Sequence, residues 1–230
     1  QVEADSVLDF EMLQTGHGGR KSVPNTVQAV TEGRAEQPTM PVINGEVSYE
    51  GIMESCREDV QRMMFWVSLL NGTCGHTYGA NGIWQFNREG APFGPSPHGR
   101  SWGDTPWDEA MQAPGSAQLG RYRELLSRWE WWRIEPHPEW VEPHWSGDDY
   151  WLPHAAGIPG ELRLLYLFNA TPEPTVKGLE AGARYQASLV NPSTCEEQAL
   201  GVATGKESGD WPLPLIEVRR DWLVVLERED

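Results

Sequence analysis

The residues best suited to chemistry lie between Pro41 and Gly51, in PVINGEVSYEG. A short apolar run, Pro41-Val42-Ile43, switches at once to Asn44, Gly45, Glu46, Tyr49 and Glu50. Buried strands of α/β barrels end this way, handing polar groups to the loop at their carboxyl end. Glu46 is the best-placed acid of the chain. A carboxylate there suits glycoside hydrolysis, in which two carboxyl groups flank the scissile bond; a gap of about 5–5.5 Å gives retention and a wider one gives inversion. Strand alternation puts Asn44 on the face of Glu46, two residues earlier, where its amide would steady the carboxylate or bind a sugar hydroxyl. Tyr49 is expected to donate to that carboxylate. Glu50 is a second acid, whose ordinary use is an ion pair with an Arg such as Arg57.

Two histidines follow other strand candidates. His17 lies in Gln14-Thr15-Gly16-His17-Gly18-Gly19, a Gly-rich loop whose Gln14 is also a candidate substrate contact. His76 opens His76-Thr77-Tyr78-Gly79-Ala80-Asn81. If the three strands are parallel neighbours, both histidines emerge near Glu46, with Tyr78 on the side of His76. Trp84 and Gln85 in the next loop supply a stacking face and an amide. Each of these residues also has a plain structural use, as a surface acid or a satisfied core histidine. Other chemistries fit less well: HExxH, GxSxG and GxxxxGK are absent. Gly16-His17-Gly18-Gly19 is similar to an oxyanion loop but lacks an elbow Ser. Cys56, Cys74 and Cys195 form no CxxC pair and allow at most one disulfide. Glu-Pro-His occurs twice, ending at His137 and His144, in a Pro-rich stretch poorly suited to hold a metal. No metal and no cofactor is expected.

The elements that would position these groups alternate. Ser6 to Leu13 reads as a strand. Asn25 or Thr26 caps a helix reaching about Gln37, and the Pro41 strand follows. Val60, Met63, Met64, Val67 and Leu70 form the buried stripe of a helix from about Ser55 to Asn71-Gly72. Cys74 to Ala80 is a third strand. A Gly/Pro-rich loop from Asn87 to Pro114 leads to a helix from about Ser116 to Trp129. This β-α-β-α-β-α order implies a parallel sheet with crossover helices. Three such units cannot close an eight-stranded barrel; they make a small open sheet or the last part of a barrel. Residues 131–152, rich in Trp and Pro, read as a linker. Strands are expected over Glu161–Phe168, Thr175–Leu179, Arg184–Val190, Gln198–Thr204 and Asp221–Leu226, as in a small antiparallel sandwich. Asn71-Gly72-Thr73 and Asn169-Ala170-Thr171 match the glycosylation pattern and are read as chance.

Composition narrows the partners. The net charge of −16, from 34 acids against 18 bases, argues against nucleic acid, whose binding rests on Lys and Arg at phosphates, and against anionic membrane surfaces. No run approaches the roughly 18 apolar residues of a membrane span. The chain lacks an initiating Met and a signal peptide, and reads as a mature or cut product. Ten of the twelve Trp lie between Trp66 and Trp151. Their flat faces stack on sugar rings, and in so acidic a chain carbohydrate is the expected partner.

Taken together, LDFEMLQTGHG, PVINGEVSYEG and GHTYGANGIWQF resemble the last three barrel strands of the apiosidase-like glycoside hydrolases. IPGELRLLYLF, VKGLEAGARYQASLVNPSTCEE and DWLVVLE resemble the β-sandwich that follows that barrel, often labelled a collagen-binding domain. The resemblance implies an α/β plus all-β chain: the C-terminal portion of a (β/α)8 TIM barrel over residues 1–130, a linker over 131–152 and a small antiparallel β-sandwich over 153–230. It implies a retaining glycosidase acting on a plant or microbial polysaccharide or its side chains, with Glu46 at the strand-seven nucleophile position. The strand-four acid/base would come from an N-terminal half of the barrel, as a separate chain or a missing segment. Gln14, His17, Asn44, Tyr49, His76, Tyr78, Trp84 and Gln85 would bind the sugar or orient Glu46. A non-catalytic carbohydrate-binding protein and a barrel-completing subunit are the alternatives.

Overall fold

The structure is a computed structural model that describes residues 8–95, 99, 102–168, 174–205, 207–216 and 220–229. It divides into two compact units, Gln1–Leu69 with Thr73–Glu124, and Leu70–Gly72 with Leu125–Asp230.

In the first unit, β1 (Glu11–Gln14), β2 (Val42–Glu46) and β3 (Gly75–His76) form a parallel sheet in that order. Helices α1 (Val23–Ala35) and α2 (Glu58–Leu70) make the crossovers. Then come α3 (Trp107–Ala110) and α4 (Pro114–Leu126). The helical periodicity is realised: Val27 and Val30 of α1 and Val60, Met63, Met64, Val67 and Leu70 of α2 are buried. Trp66 and Tyr122 are fully buried and pack together, 4.9 Å between ring centroids. The start of α1 differs from expectation. It begins at Val23, with Pro24 in its first turn, a position where a missing N–H costs nothing. Asn25 is therefore inside the helix, and its amide donates to the Thr15 carbonyl at 2.9 Å, fastening the end of β1 instead of capping. The third strand is shorter than expected, although Ala80 pairs with Glu50 in a further parallel bridge. The face of β1 that carries Met12 is bare, with Met12 67 % exposed, and Phe10 just before the strand is 48 % exposed.

The second unit holds two antiparallel sheets. One has six strands in the order β10-β9-β12-β7-β6-β4 and the other three, β11-β8-β5. In chain order these are β4 (Glu135–Pro136), β5 (Val141–Glu142), β6 (His154–Ile158), β7 (Leu162–Leu167), β8 (Thr175–Val176), β9 (Arg184–Val190), β10 (Glu197–Thr204), β11 (Trp211–Pro212) and β12 (Trp222–Arg228). Leu165, Tyr185 and Val224 of the larger sheet share one apolar core with Val141 and Val176 of the smaller. Residues 131–152 are not a bare linker. They supply β4 and β5, one to each sheet, and Trp140 to the core. Strand β6, sequence HAAGI, escaped the sequence reading because it is buried on both faces and shows no alternation. No disulfide joins Cys56, Cys74 or Cys195. Asn71 is buried, and its amide is 2.9 Å from His154 Nδ1, so this glycosylation pattern is inaccessible in the folded chain. The pattern at Asn169 lies outside the described residues. Among the described residues no helix is long and apolar enough to cross a membrane.

Candidate active site

The aim of Glu46 is set by an irregularity in the sheet. β1 and β2 pair from Glu11 opposite Val42 to Leu13 opposite Asn44, and then Gln14 lies opposite Glu46. Gly45 is the extra residue. An inserted residue slips the two-residue alternation of a strand, so Glu46 leaves the face of Asn44 and joins that of Met12, Ile43 and Gln14. A Cβ on residue 45 would overlap the exposed Met12 side chain, so a larger residue at the slip would displace Met12.

Asn44 therefore does not share a face with Glu46. It is fully buried, and its amide donates to Ser68 Oγ of α2 at 2.9 Å and to Thr15 Oγ1 at 3.2 Å. Its role is to tie β2 to α2 and to the end of β1. Glu46 meets His17 and Tyr49. Its Oε1 accepts from the Tyr49 hydroxyl at 2.7 Å and lies 2.8 Å from His17 Nε2. The two donor rings touch edge to face, 4.6 Å apart. Among the described residues no hydrogen bond reaches Glu46 Oε2, and the side chain is 35 % exposed, so that oxygen is open to a ligand.

Both donors are neutral near pH 7. Burial lowers the His17 pKa against the pull of the Glu46 charge. A neutral imidazole that donates from Nε2 carries no proton on Nδ1, and Nδ1 is buried without a partner among the described residues. Burial, with help from Glu46, pushes the Tyr49 hydroxyl up to about 12. The loop that carries His17 is fastened at several points. The Gly18 N–H donates to Ser22 Oγ and the Gly19 N–H to Ser48 Oγ, each at 2.9 Å, while Ser48 donates to the Gly16 carbonyl at 3.1 Å. With both amides occupied, this loop is not an oxyanion hole.

The remaining candidates go elsewhere. Gln14 lies on the face of Glu46, exposed, opposite it in register. His76 does not emerge beside Glu46. It pairs in register with Asn44, on the other face, and its ring meets Phe65 edge-on at 5.4 Å. Both its nitrogens are sealed from water without a partner among the described residues, and burial pushes its pKa down to about 4. Tyr78 donates to Glu50 Oε2 at 2.6 Å, and the Gly115 N–H in the first turn of α4 donates to the same oxygen at 2.9 Å. Glu50 thus fills the anion-favouring position at a helix N-terminus, not the expected pair with Arg57. Burial still raises its pKa, against those two hydrogen bonds. Gln85 accepts from the Gly82 N–H at 2.6 Å and donates to Asn81, inside its own turn. Trp84 is half exposed and edge-on to Phe93 and Trp102. His137 and His144 have separate partners, Glu139 and the Val141 carbonyl. Among the described residues no three His, Cys, Asp or Glu cluster as metal ligands do. The sequence reading missed Ser48 and Gly115, whose roles depend on residues 29 and 65 positions away.

Similar architecture occurs in solved glycoside hydrolase structures. One described as a glycoside hydrolase shares 20% identity at a TM-score of 0.79, covering 96% of this chain and 52% of its own. A glycoside hydrolase family 5 structure from Bacteroides vulgatus ATCC 8482 shares 20% identity at 0.76, covering 97% of this chain and 52% of its own. The chain thus spans about half the length of these structures. No curated protein matches it. Residues 1–133 match the family model described as the apiosidase-like catalytic domain, and the chain belongs to that family.

Proposed function

We propose that this chain carries the nucleophile of a retaining glycoside hydrolase, with Glu46 Oε2 as the attacking atom. The observation that carries this reading is the convergence of two neutral donors on Oε1, which leaves Oε2 free. In this mechanism Oε2 attacks the anomeric carbon and the glycosidic bond breaks. The leaving oxygen takes a proton from an acid outside the chain. Water then hydrolyses the glycosyl ester, with its proton returning to the same acid. His17 and Tyr49 hold the carboxylate at one angle throughout. The acid/base comes from an N-terminal half of the barrel, as a preceding segment or a separate chain. Two observations support such a complement: the bare β1 face at Met12, with Phe10 exposed just before the strand, and structural neighbours about twice as long. The substrate is a plant or microbial polysaccharide or its side chains. The family's description favours an apiose-containing one.

The half-exposed Trp84 favours a second reading, carbohydrate binding without hydrolysis. One experiment separates the two. The chain is completed with the preceding half and assayed on a panel of aryl glycosides. Glu46→Gln is expected to abolish turnover while sugar binding persists. Unchanged turnover in that variant refutes the nucleophile assignment.

A further inference from the structure

Gly79 has no conformational reason to be glycine. Its φ lies outside the left-handed region, so its backbone is open to other residues. Glycine in extended chain packs nothing, and it often marks a place where another group comes close. Here that group is one side chain. The three heavy atoms nearest to a Cβ on residue 79 all belong to the Tyr49 ring. Such a Cβ would overlap Cδ1 and stand 2.7 Å from Cε1 and 3.5 Å from Cγ. Carbon atoms in ordinary contact are about 3.5–4 Å apart, so the ring would have to retreat by roughly 1 Å.

The backbone on both sides of this contact is pinned. The Glu50 N–H donates to the Gly79 carbonyl at 2.9 Å and the Asn81 N–H to the Glu50 carbonyl at 2.7 Å, around the parallel bridge of Glu50 with Ala80. The Tyr49 carbonyl accepts from the Ile52 N–H at 3.1 Å. Relief therefore falls on the Tyr49 side chain. That side chain is already committed: its ring meets His17 edge-on at 4.6 Å and its hydroxyl donates to Glu46 Oε1 at 2.7 Å. Hydrogen bonds between oxygens run from about 2.5 to 3.0 Å, so a retreat of the ring takes the hydroxyl out of range.

We infer that Gly79 is a positioning residue of the site: its missing side chain is the space in which the Tyr49 ring lies, and that space sets the phenol on Glu46 Oε1 and the angle at which Oε2 is presented. The chain after β3 thus supports the Glu46 carboxylate. Among the described residues none of its side chains is hydrogen-bonded to Glu46, whose side-chain partners are His17 and Tyr49. Gly79 touches no substrate in this account and acts only through Tyr49. The effect on turnover rests on the nucleophile reading; the placement of the ring does not.

The test has a structural arm on the chain itself and a kinetic arm on the completed enzyme. In the first, tyrosine is labelled with carbon-13 at Cζ, and the Tyr49 signal is identified by its loss in Tyr49→Phe. Gly79→Ala is expected to move that signal toward its position in Glu46→Ala, where no carboxylate accepts from the phenol. An unmoved signal in folded Gly79→Ala overturns the inference. In the second arm, Gly79→Ala is expected to lower kcat on an aryl glycoside about ten- to a hundredfold with KM within about threefold, as a misplacement of roughly 1 Å does. In a Tyr49→Ala background, where the ring is gone, the same substitution is expected to change kcat less than about twofold. Losses that multiply in the double variant overturn the inference, because Gly79 then acts independently of Tyr49. Circular dichroism checks folding. If Gly79→Ala does not fold, the double variant decides: recovered folding supports a clash with the ring, and an unfolded double variant overturns it. Turnover in Glu46→Gln keeps the two readings apart. A moved signal with full turnover in Glu46→Gln leaves the placement standing and removes the nucleophile, and the opposite pair of results does the reverse.

Discussion

Glu46 is one acid among thirty-four acidic residues. What distinguishes it is that one oxygen is held and the other is not. Hydrogen bonds to a charged group are worth about 1.5–3 kcal/mol each. Tyr49→Phe removes one donor and keeps the ring that packs on His17. For the completed enzyme, kcat/KM on an aryl glycoside is expected to fall about ten- to a hundredfold with thermal stability nearly unchanged. A fall below threefold would mean that Tyr49 is packing alone. The residue types for this triad were legible in the sequence, because a strand end with Glu and Tyr and a Gly-rich loop with His have few other uses together. The face of Asn44 was not legible. Strand alternation gave the wrong side because the extra residue Gly45 shifts the phase, and a bulge leaves no unique mark in a single sequence.

At the scale of elements, Glu50 decides how three loops meet. Its carboxylate joins the loop after β2, Tyr78 after β3 and the start of α4. A Cβ on residue 115 would overlap Glu50 Oε2. Gly115→Ala is therefore expected to destabilise the chain by about 1–3 kcal/mol, the cost of a buried group losing its partner, seen as a lower urea midpoint. Glu50→Gln should behave differently. Its amide oxygen can still accept from Tyr78 and Gly115. Because burial raises the Glu50 pKa, the charge contributes nothing favourable at neutral pH. Near wild-type stability is expected for Glu50→Gln at pH 7, and a loss as large as that of Gly115→Ala would show that the charge itself is needed. The helices of this unit were readable from their 3.6-residue stripes. Strands β4, β5 and β6 were not, since short Pro-containing pairs and an Ala-Gly strand buried on both faces carry no alternation.

At the scale of the whole molecule, two histidines whose ring nitrogens are buried are expected to make the fold acid-sensitive. Burial pushes His76 in the first unit and His154 in the second down to about 4. Their folded pKa values lie below the unfolded one, so the unfolded chain takes up the proton first. Stability is then complete above about pH 6.5 and falls as pH drops toward 4, by roughly 3 kcal/mol for each group. Urea midpoints at pH 7 and pH 4.5 measure this. His76→Phe, which suits the edge contact with Phe65, should remove about half of the acid loss, and an unchanged loss would exclude His76 as a source. The sequence by itself determined the alternating parallel unit, the β-rich second half and the family, and it singled out Glu46 as a candidate. Those follow from local periodicity and from residue types that recur in fixed order. Only the tertiary structure decided which side chains meet. The slip at Gly45 turned Glu46 away from Asn44, the register put His76 against Phe65, and a helix start 65 residues away took the second carboxylate. Such choices depend on non-local register and on where buried polar groups find partners, which the spacing of residues along one chain does not encode.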